Sequence, residues 1–215
     1  MARNKYPEKT VEKILSVSLR LFNEKGYEKT TIQDIVNELG MSKGAIYHHF
    51  KSKEEIVDAI SRNCYHNNQD ISNILQDESQ TGLQKLQAIL MAQMNDDLKK
   101  EVDVLSLDMW KNPKIFMMGM KENLDVNARL VEGLLEEGNR DGSIHTSNPR
   151  FTSQVLMLLM NYWILSPTIT DNDPEIICEK IRYLRDLSAS IGVDIIDDSI
   201  EDTLTAYFRQ LSAKS

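Results

Sequence analysis

Two neighbouring histidines, His48 and His49, lie in the segment GMSKGAIYHHFKSKEEI, and they suggest a metal site or an acid–base site. Consecutive residues on a helix point about 100° apart, whereas two helical ligands of one ion normally stand four residues apart. The spacing of Cys64 and His66 makes those side chains diverge in the same way. We therefore expect no metal ion at either pair, and no cofactor.

The sequence shows none of the common catalytic motifs. It contains no nucleophile elbow, no phosphate-binding glycine loop and no metal-hydrolase motif. The adjacent carboxylates at 96–97 and 197–198 fit the charged starts of helices better than an acid–base pair. We therefore expect a protein that is not an enzyme. An enzyme that uses a C-terminal cavity is an alternative without support from any motif.

The elements around the histidine pair are short helices with clear end signals. Helical spacing of apolar residues predicts a first helix over 8–25 and a second from Thr31 to Gly40. Ser42 is the N-cap candidate of a third helix, and the capping-box pattern from Ser52 to Glu55 begins a fourth. Two short helices joined by a tight glycine turn are typical of a helix-turn-helix motif.

The second helix of this motif has residues that suit DNA. Lys43 is able to reach a guanine edge or a phosphate, and Tyr47 offers a hydroxyl group on a flat apolar ring. Gly44 and Ala45 have almost no side chain, so the backbone is able to approach the major groove. Gln33 carries an amide that could bond an adenine edge. A helical hairpin with a merely solvated basic face is the alternative.

The distribution of charge agrees with a DNA-binding N-terminal part. The 215-residue chain has a net charge of −8, but residues 1–53 carry +4 and the remainder −12. A small basic surface is able to contact a polyanion although the rest of the protein is acidic. The charged N-terminal residues do not resemble a secretory signal, and the most apolar run, 155–165, is too short to span a membrane. We expect a cytoplasmic protein without a membrane partner.

The remaining sequence also predicts helices, and the fold class is therefore all-α with about nine to ten helices. No strand pairing or internal repeat is recognisable. The apolar periodicity, prolines and glycines predict helices over 53–76, 82–98, 104–110, 114–140, 149–166, 174–190 and 198–212.

A 43-residue run without gaps, from Ile14 to Ile56, resembles the N-terminal domain of TetR-family (tetracycline-repressor-like, TetR/AcrR) transcription regulators. The matching features are Leu21-Phe22, Gly26-Tyr27, Thr30-Thr31, Ile35, Leu39-Gly40, Ser42-Lys43-Gly44, Tyr47, Phe50 and Ser52-Lys53-Glu54. The resemblance implies a helix-turn-helix DNA-binding domain over 1–52 and a ligand-binding and dimerisation domain over 53–215. The fourth helix, from about residue 53, would connect them.

The same resemblance implies the roles of the DNA-binding residues. Positions that read bases would be Gln33, Lys43, Gly44 and Ala45. Positions that contact phosphates would be Thr31, Ser42, Tyr47, His48, His49 and Lys53. Family members are homodimers that bind a pseudo-palindromic double-stranded DNA operator, and a small apolar or amphipathic effector releases them by shifting helix 4. A DNA binder of the same fold without a ligand, and an interaction module that has lost DNA binding, are the alternatives.

Methionines and aromatic residues concentrate between positions 91 and 163. They form either the core of a helical bundle or an adaptable apolar pocket, because methionine fits varied shapes. Asn95, Asn123 and Asn161 are candidate polar anchors. The candidate effector pocket consists of Met91, Met94, Met109, Trp110, Phe116, Met120, Met157, Asn161 and Trp163.

Two apolar stripes near the C-terminus are candidates for a dimer interface. Each stripe could instead be internal core. The family resemblance favours the interface, because helices at the end of that fold form the two-fold contact. The candidate residues are Phe151, Val155, Leu158 and Tyr162 on one helix and Ile177, Ile181, Leu184 and Ser188 on the next.

Overall fold

A computed structural model describes residues 7–66, 69–164 and 173–213, and the predicted all-α class is confirmed there. The first helices are α1 (Pro7–Lys25), α2 (Ile32–Leu39), α3 (Lys43–His49), α4 (Lys53–His66), α5 (Gln69–Gln76) and α6 (Gly82–Asn95). They are followed by α7 (Asp97–Met109), α8 (Pro113–Glu122), α9 (Ala128–Asp141), α10 (Pro149–Leu158), α11 (Pro174–Ser190) and α12 (Asp198–Ser212). No helix in the described ranges is both long and apolar enough to cross a membrane.

Two short π-helical turns interrupt segments for which the sequence predicts uninterrupted α-helices. One turn, Asn123–Asn127, joins α8 to α9, and the other, Leu159–Trp163, continues α10. A π-turn inserts one residue into the helical repeat, so side chains on either side of it change direction relative to each other. Apolar periodicity over 114–140 and 149–166 does not reveal such an insertion. Residues 67–68 of the predicted helix 53–76 and residues 165–166 of the predicted helix 149–166 lie outside the described ranges.

The N-terminal core joins α1–α3 to helices beyond the predicted boundary at residue 52. Phe22, Ile35 and Ile46 are buried in this core. Helix α4 adds further apolar residues, and the chain returns to the same core through α7 and α8 with Val102, Leu105, Met109 and Ile115. The DNA-binding helices suggested by the sequence therefore share their core with part of the C-terminal region.

The C-terminal core is formed by α5–α7 and α9–α12. Helix α9 packs on α6 and α10, and α12 packs on α11, α6 and α7. Helices α6 and α9 approach very closely: a Cβ atom added to Gly82 would lie 2.3 Å from the backbone nitrogen of Gly138. The backbone N–H of Gly82 also donates to Oδ2 of Asp141 at 2.8 Å. Glycine is required at this contact because any side chain would overlap the facing backbone.

The predicted apolar stripe of α11 is internal core. The position of these α11 residues therefore does not support their assignment to a dimer surface. Ile177, Ile181, Leu184 and Ser188 each have zero exposed area in the single chain. They pack in the same core as α12 residues such as Ile200, Leu204 and Phe208. Because α12 covers this side of α11, the stripe is not available to a second subunit.

Candidate nucleic-acid interface

The helix-turn-helix geometry follows from local signals at both ends of α2. Thr31 caps the helix: its hydroxyl oxygen accepts from the N–H of Asp34 at 3.1 Å, while the Asp34 carboxylate accepts from the N–H of Thr31 at 2.8 Å. Gly40 ends the helix with a left-handed backbone, φ 63°. This conformation costs glycine little, and it turns the chain into α3.

Helix α3 is fixed by its apolar side and capped by Ser42. The Ser42 hydroxyl oxygen accepts from the N–H of Ala45 at 3.2 Å. Ile46 and Phe50 are buried against Ile35 of α2 in the N-terminal core. With this side anchored, the opposite side of α3 faces outward.

The outward side of α3 carries most of the predicted DNA-binding residues. Lys43, Gly44, Tyr47 and His48 are exposed, and His49 is half-buried. The Lys43 ammonium lies 5.8 Å from the centroid of the Tyr47 ring, so a positive charge and an aromatic surface stand side by side. A Cβ atom added to Gly44 would meet no atom within 4 Å, which leaves the backbone accessible from outside.

The rings of His48 and His49 are closer than the 100° helical separation suggests. Their centroids are 5.2 Å apart and the ring planes are inclined by 75°, an edge-to-face arrangement. Within the described side chains, no three His, Cys, Asp or Glu residues are grouped as a metal site. The His66 and Cys64 side chains lie outside the described set.

The predicted residues on α2 are polar and exposed but already bonded locally. The Gln33 amide donates from Nε2 to Oδ1 of Asn37 at 2.9 Å. The exposed Thr31 hydroxyl belongs to the cap with Asp34. Of the other basic residues nearby, Arg20 pairs with Glu38 and Lys25 with Asp34, so their charges are balanced. Exposed positive charge next to α3 therefore comes mainly from Lys43 and Lys51.

The side chain of Lys53 differs from the expectation that it reaches a phosphate. Its ammonium donates to the backbone carbonyl of Tyr27 at 2.8 Å and lies 4.2 Å from the centroid of the Tyr27 ring. Tyr27 is buried, and burial raises the pKa of its phenol. Sequence spacing identified the position of Lys53 at the start of α4, but not this contact, because Tyr27 is distant along the chain.

A cavity of 560 Å³ opens among helices α4–α12, and it has the size of a small-molecule site. Of the predicted pocket residues, Met94, Met109, Trp110, Met157 and Asn161 line it. Met91, Phe116, Met120 and Trp163 are not among its lining residues, although Phe116 packs on Trp110 with ring centroids 6.3 Å apart.

Two residues predicted for the dimer interface contribute to the cavity instead. Tyr162 and Leu184 line its wall, because the π-turn after α10 and the inner side of α11 face the cavity. Asn123, one of the candidate polar anchors, also lines it, whereas Asn95 is exposed and donates to the backbone oxygen of Met91.

Polar residues of α4 and α7 complete the cavity wall, and the clustering of methionines and aromatic residues does not predict them. Asp58 and Arg62 of α4 form an ion pair at 3.1 Å, and Arg62 also lies 3.9 Å from Glu122 of α8. Lys99 of α7 pairs with Asp103. A charged residue on an amphipathic helix normally faces solvent, so its type alone gives no signal of a cavity.

The turn between α7 and α8 connects the cavity wall with the N-terminal helices. Asn112 follows the wall residue Trp110 in the sequence, and its side-chain amide donates to Oε1 of Glu28 at 3.4 Å. In the first turn of α8, the Lys114 ammonium lies 3.5 Å from Oε1 of Glu54 on α4. A displacement of this wall would therefore act directly on contacts that hold α1–α4.

Comparisons with known proteins agree with this architecture. Residues 14–60 match the family model described as "Bacterial regulatory proteins, tetR family". A 46-residue stretch is 56% identical to YerO of Bacillus subtilis, an uncharacterised HTH-type transcriptional regulator, and covers 21% of this chain and 16% of YerO. Over 154 residues, the chain is 23% identical to IcaR of Staphylococcus aureus, the negative transcriptional regulator of the biofilm operon icaADBC. This alignment covers 71% of this chain and 82% of IcaR.

A solved structure extends the likeness to the fold. The tetR-family regulatory protein from Rhodococcus RHA1 has a TM-score of 0.50 and 22% identity, with 86% of this chain and 98% of that chain covered. The chain spans less than a third of the length of the first curated relatives that it matches, and those matches lie in short stretches. The resemblance inferred from Ile14 to Ile56 is confirmed, since residues 14–60 match the N-terminal region of the tetR family of bacterial regulatory proteins.

Proposed function

We propose that the protein is a ligand-responsive transcriptional repressor, not an enzyme, which binds a pseudo-palindromic DNA operator as a homodimer. The observation that carries this proposal is the outward side of α3, where Lys43, Gly44 and Tyr47 are exposed while Ile46 anchors the helix from behind. An exposed helix with a cation, a bare backbone and an aromatic hydroxyl suits the major groove. Repression is the direction supported by the negative regulator IcaR.

Base contacts are assigned to Gln33, Lys43, Gly44 and Ala45. Thr31, Ser42, Tyr47, His48 and His49 contact phosphates, and Lys53 acts instead by fixing Tyr27. The half-buried position of Ala45 next to exposed Gly44 leaves a shallow surface that a thymine methyl group could meet. Two copies of α3 would enter successive major grooves, about 34–36 Å apart.

The contact between subunits is assigned to the outer side of α10 together with Tyr183 of α11. Phe151, Val155 and Tyr183 are exposed in the single chain, and Leu158 is half-buried. The rings of Trp163 and Tyr183 are 6.0 Å apart, so this apolar surface continues from the end of α10 to α11. Exposed aromatic and aliphatic side chains on one surface are typical of protein interfaces.

The cavity is assigned to the effector. Its wall includes Asp58 and Arg62 of α4. Other residues of α4 pack in the N-terminal core together with α1–α3. A ligand that separates α4 from α8 would change the angle at which α3 is presented, and a coupling of about 1–3 kcal/mol is sufficient for a large change in DNA affinity.

The test is selection of bound genomic fragments by the purified protein, followed by retardation of the selected operator. Lys43→Ala should weaken operator binding and relax the base preference at the position it contacts, and Tyr47→Ala should weaken binding to all sequences. Lys121→Ala is the matched control because it removes one exposed charge from α8. Wild-type operator binding by both α3 variants would contradict the proposal.

A further inference from the structure

The two π-turns meet at one hydrogen-bonded pair in the cavity wall. Nδ2 of Asn123, in the first turn, donates to the hydroxyl oxygen of Tyr162, in the second, at 2.7 Å. Oδ1 of Asn123 in turn accepts from Nδ2 of Asn127 at 3.0 Å. All three residues line the cavity. π-Turns occur often at functional sites, because the inserted residue redirects a side chain.

This arrangement leaves a donor at the Tyr162 hydroxyl. The phenol oxygen accepts from Asn123, so its own proton is not used in that bond. In the part of the chain that the structure describes, no group accepts that proton. Burial raises the pKa of Tyr162, and the phenol therefore stays protonated at neutral pH.

Space for a ligand atom exists beside this hydroxyl. A Cβ atom added to Gly119 of α8 would lie 3.5 Å from the Tyr162 hydroxyl oxygen, and Gly119 lines the same cavity. The absence of a side chain at this position leaves the hydroxyl open on the α8 side. A ligand oxygen is thus able to approach the proton of Tyr162.

The surroundings of the hydroxyl suit an apolar body. The ring of Tyr162 lies 5.2 Å from that of Trp110 and 5.4 Å from that of Phe116, measured between centroids. Met157 and Met160 line the cavity next to this aromatic cluster. Aromatic rings and methionines provide large contact areas for a flat or flexible hydrocarbon skeleton.

The charged groups of the cavity wall favour an uncharged ligand. Lys99 is paired with Asp103, and Arg62 with Asp58, so these charges are compensated by the protein itself. The neutral amide of Asn123 bonds the phenol oxygen, and the neutral amide of Asn161 also lines the cavity. Arg129 is an exposed cation in the cavity wall, and it is the residue that would bind an anionic ligand instead.

We propose that the cavity binds an uncharged, largely apolar molecule whose carbonyl-type oxygen accepts a hydrogen bond from the Tyr162 hydroxyl. This inference rests on the proposed function and deepens it by naming the chemical class of the effector. Asn123 is the positioning residue, since its amide holds the phenol oxygen and directs the proton toward the cavity. Trp110 and the methionines bind the apolar body.

The experiment measures the binding of two probes of equal chain length, methyl decanoate and decanoate, to the full chain without DNA. Intrinsic tryptophan fluorescence and the shift in melting temperature are the readouts. Methyl decanoate should bind at least tenfold more tightly than decanoate. Tyr162→Phe should weaken ester binding about three- to tenfold, the effect of one lost hydrogen bond. Ser190→Ala removes an exposed hydroxyl at the end of α11, away from the cavity, and should leave binding unchanged.

Gly119→Ala is a second variant that keeps the Asn123–Tyr162 bond. Its added methyl group should crowd the hydroxyl and weaken ester binding without lowering stability, since alanine favours the helix. Three outcomes would each overturn the proposal. Folded Tyr162→Phe could bind the ester as tightly as the wild type, or neither probe could bind. In the third outcome, decanoate binds more tightly than the ester and Arg129→Ala abolishes that binding. Operator retardation is measured separately: loss of DNA binding with intact ester binding would refute the repressor function and leave the cavity assignment standing.

Discussion

The ammonium group of Lys53, at the start of α4, donates to the backbone carbonyl of Tyr27, between α1 and α2, and lies 4.2 Å from the centroid of its ring. This contact fixes the beginning of α4 against the N-terminal helices. A lysine that sequence similarity places at a phosphate is therefore used, in the free protein, to hold α1–α3 in position. Its substitution should affect folding stability.

We expect Lys53→Met to lower the free energy of unfolding by about 1–3 kcal/mol, through loss of a charge-assisted hydrogen bond and a cation–π contact. Urea denaturation checks this value. Lys51→Met removes the same charge from an exposed neighbour and should leave stability nearly unchanged. Unchanged stability of Lys53→Met together with weakened operator binding would restore the phosphate role.

The assignment of the subunit contact to α10 predicts that Phe151→Glu produces a monomer. A buried carboxylate at the contact would be desolvated without a partner, which strongly disfavours association. Met117→Glu is a suitable control, since Met117 of α8 is 59% exposed and Phe151 is 60% exposed. Sedimentation velocity distinguishes the two species, and a dimeric Phe151→Glu protein would show that another surface makes the contact.

The crossing of α6 and α9 predicts opposite effects for two glycine substitutions. Gly82→Ala should destabilise the protein by about 1–3 kcal/mol or more, because its methyl group would overlap the backbone of Gly138. Gly133→Ala should stabilise it by about 0.5–1 kcal/mol, because Gly133 lies inside α9 and its added Cβ meets no atom within 4 Å. Thermal unfolding of both variants tests the proximity of the helices, and a stable Gly82→Ala protein would contradict it.

The cap of α2 predicts a loss of stability in acid. A hydrogen bond from the Thr31 hydroxyl, followed by one from Lys25, lowers the pKa of Asp34. Because the folded-state pKa is depressed, the stabilisation is present above the unfolded pKa of about 3.9 and is lost as pH falls toward the folded value. Asp34→Asn should therefore reduce the decline of melting temperature below about pH 4. Asp186→Asn, on the exposed side of α11, should leave this decline as in the wild type.

The helix ends around the DNA-binding surface were predictable because their signals are local. Thr31, Gly40 and Ser42 occupy the cap positions that their side chains or backbone favour, whatever the distant packing. The burial of Ile181 was not predictable in the same way. An apolar stripe shows that a helix side is covered, but not whether its own chain or a second subunit covers it.

The cavity shows the same distinction between local and distant information. Composition indicated a region rich in methionine and aromatic residues, and Trp110 and Met157 do line the wall. The bond between Asn123 and Tyr162 depends on two π-turns, and apolar periodicity does not encode them. The charged residues of α4 at the wall carry no sequence signal, since their contacts form only after α4, α7 and α8 pack together.

Met109 packs in the core that supports α1–α3 and also lines the cavity. For a repressor that an effector releases, binding free energies are reciprocal, and operator DNA must weaken effector binding by the same factor. The effector concentration that is needed for induction would then depend on how much of the protein is already bound to DNA. A protein titrated with effector in the absence of operator would consequently be more sensitive than the same protein on its promoter.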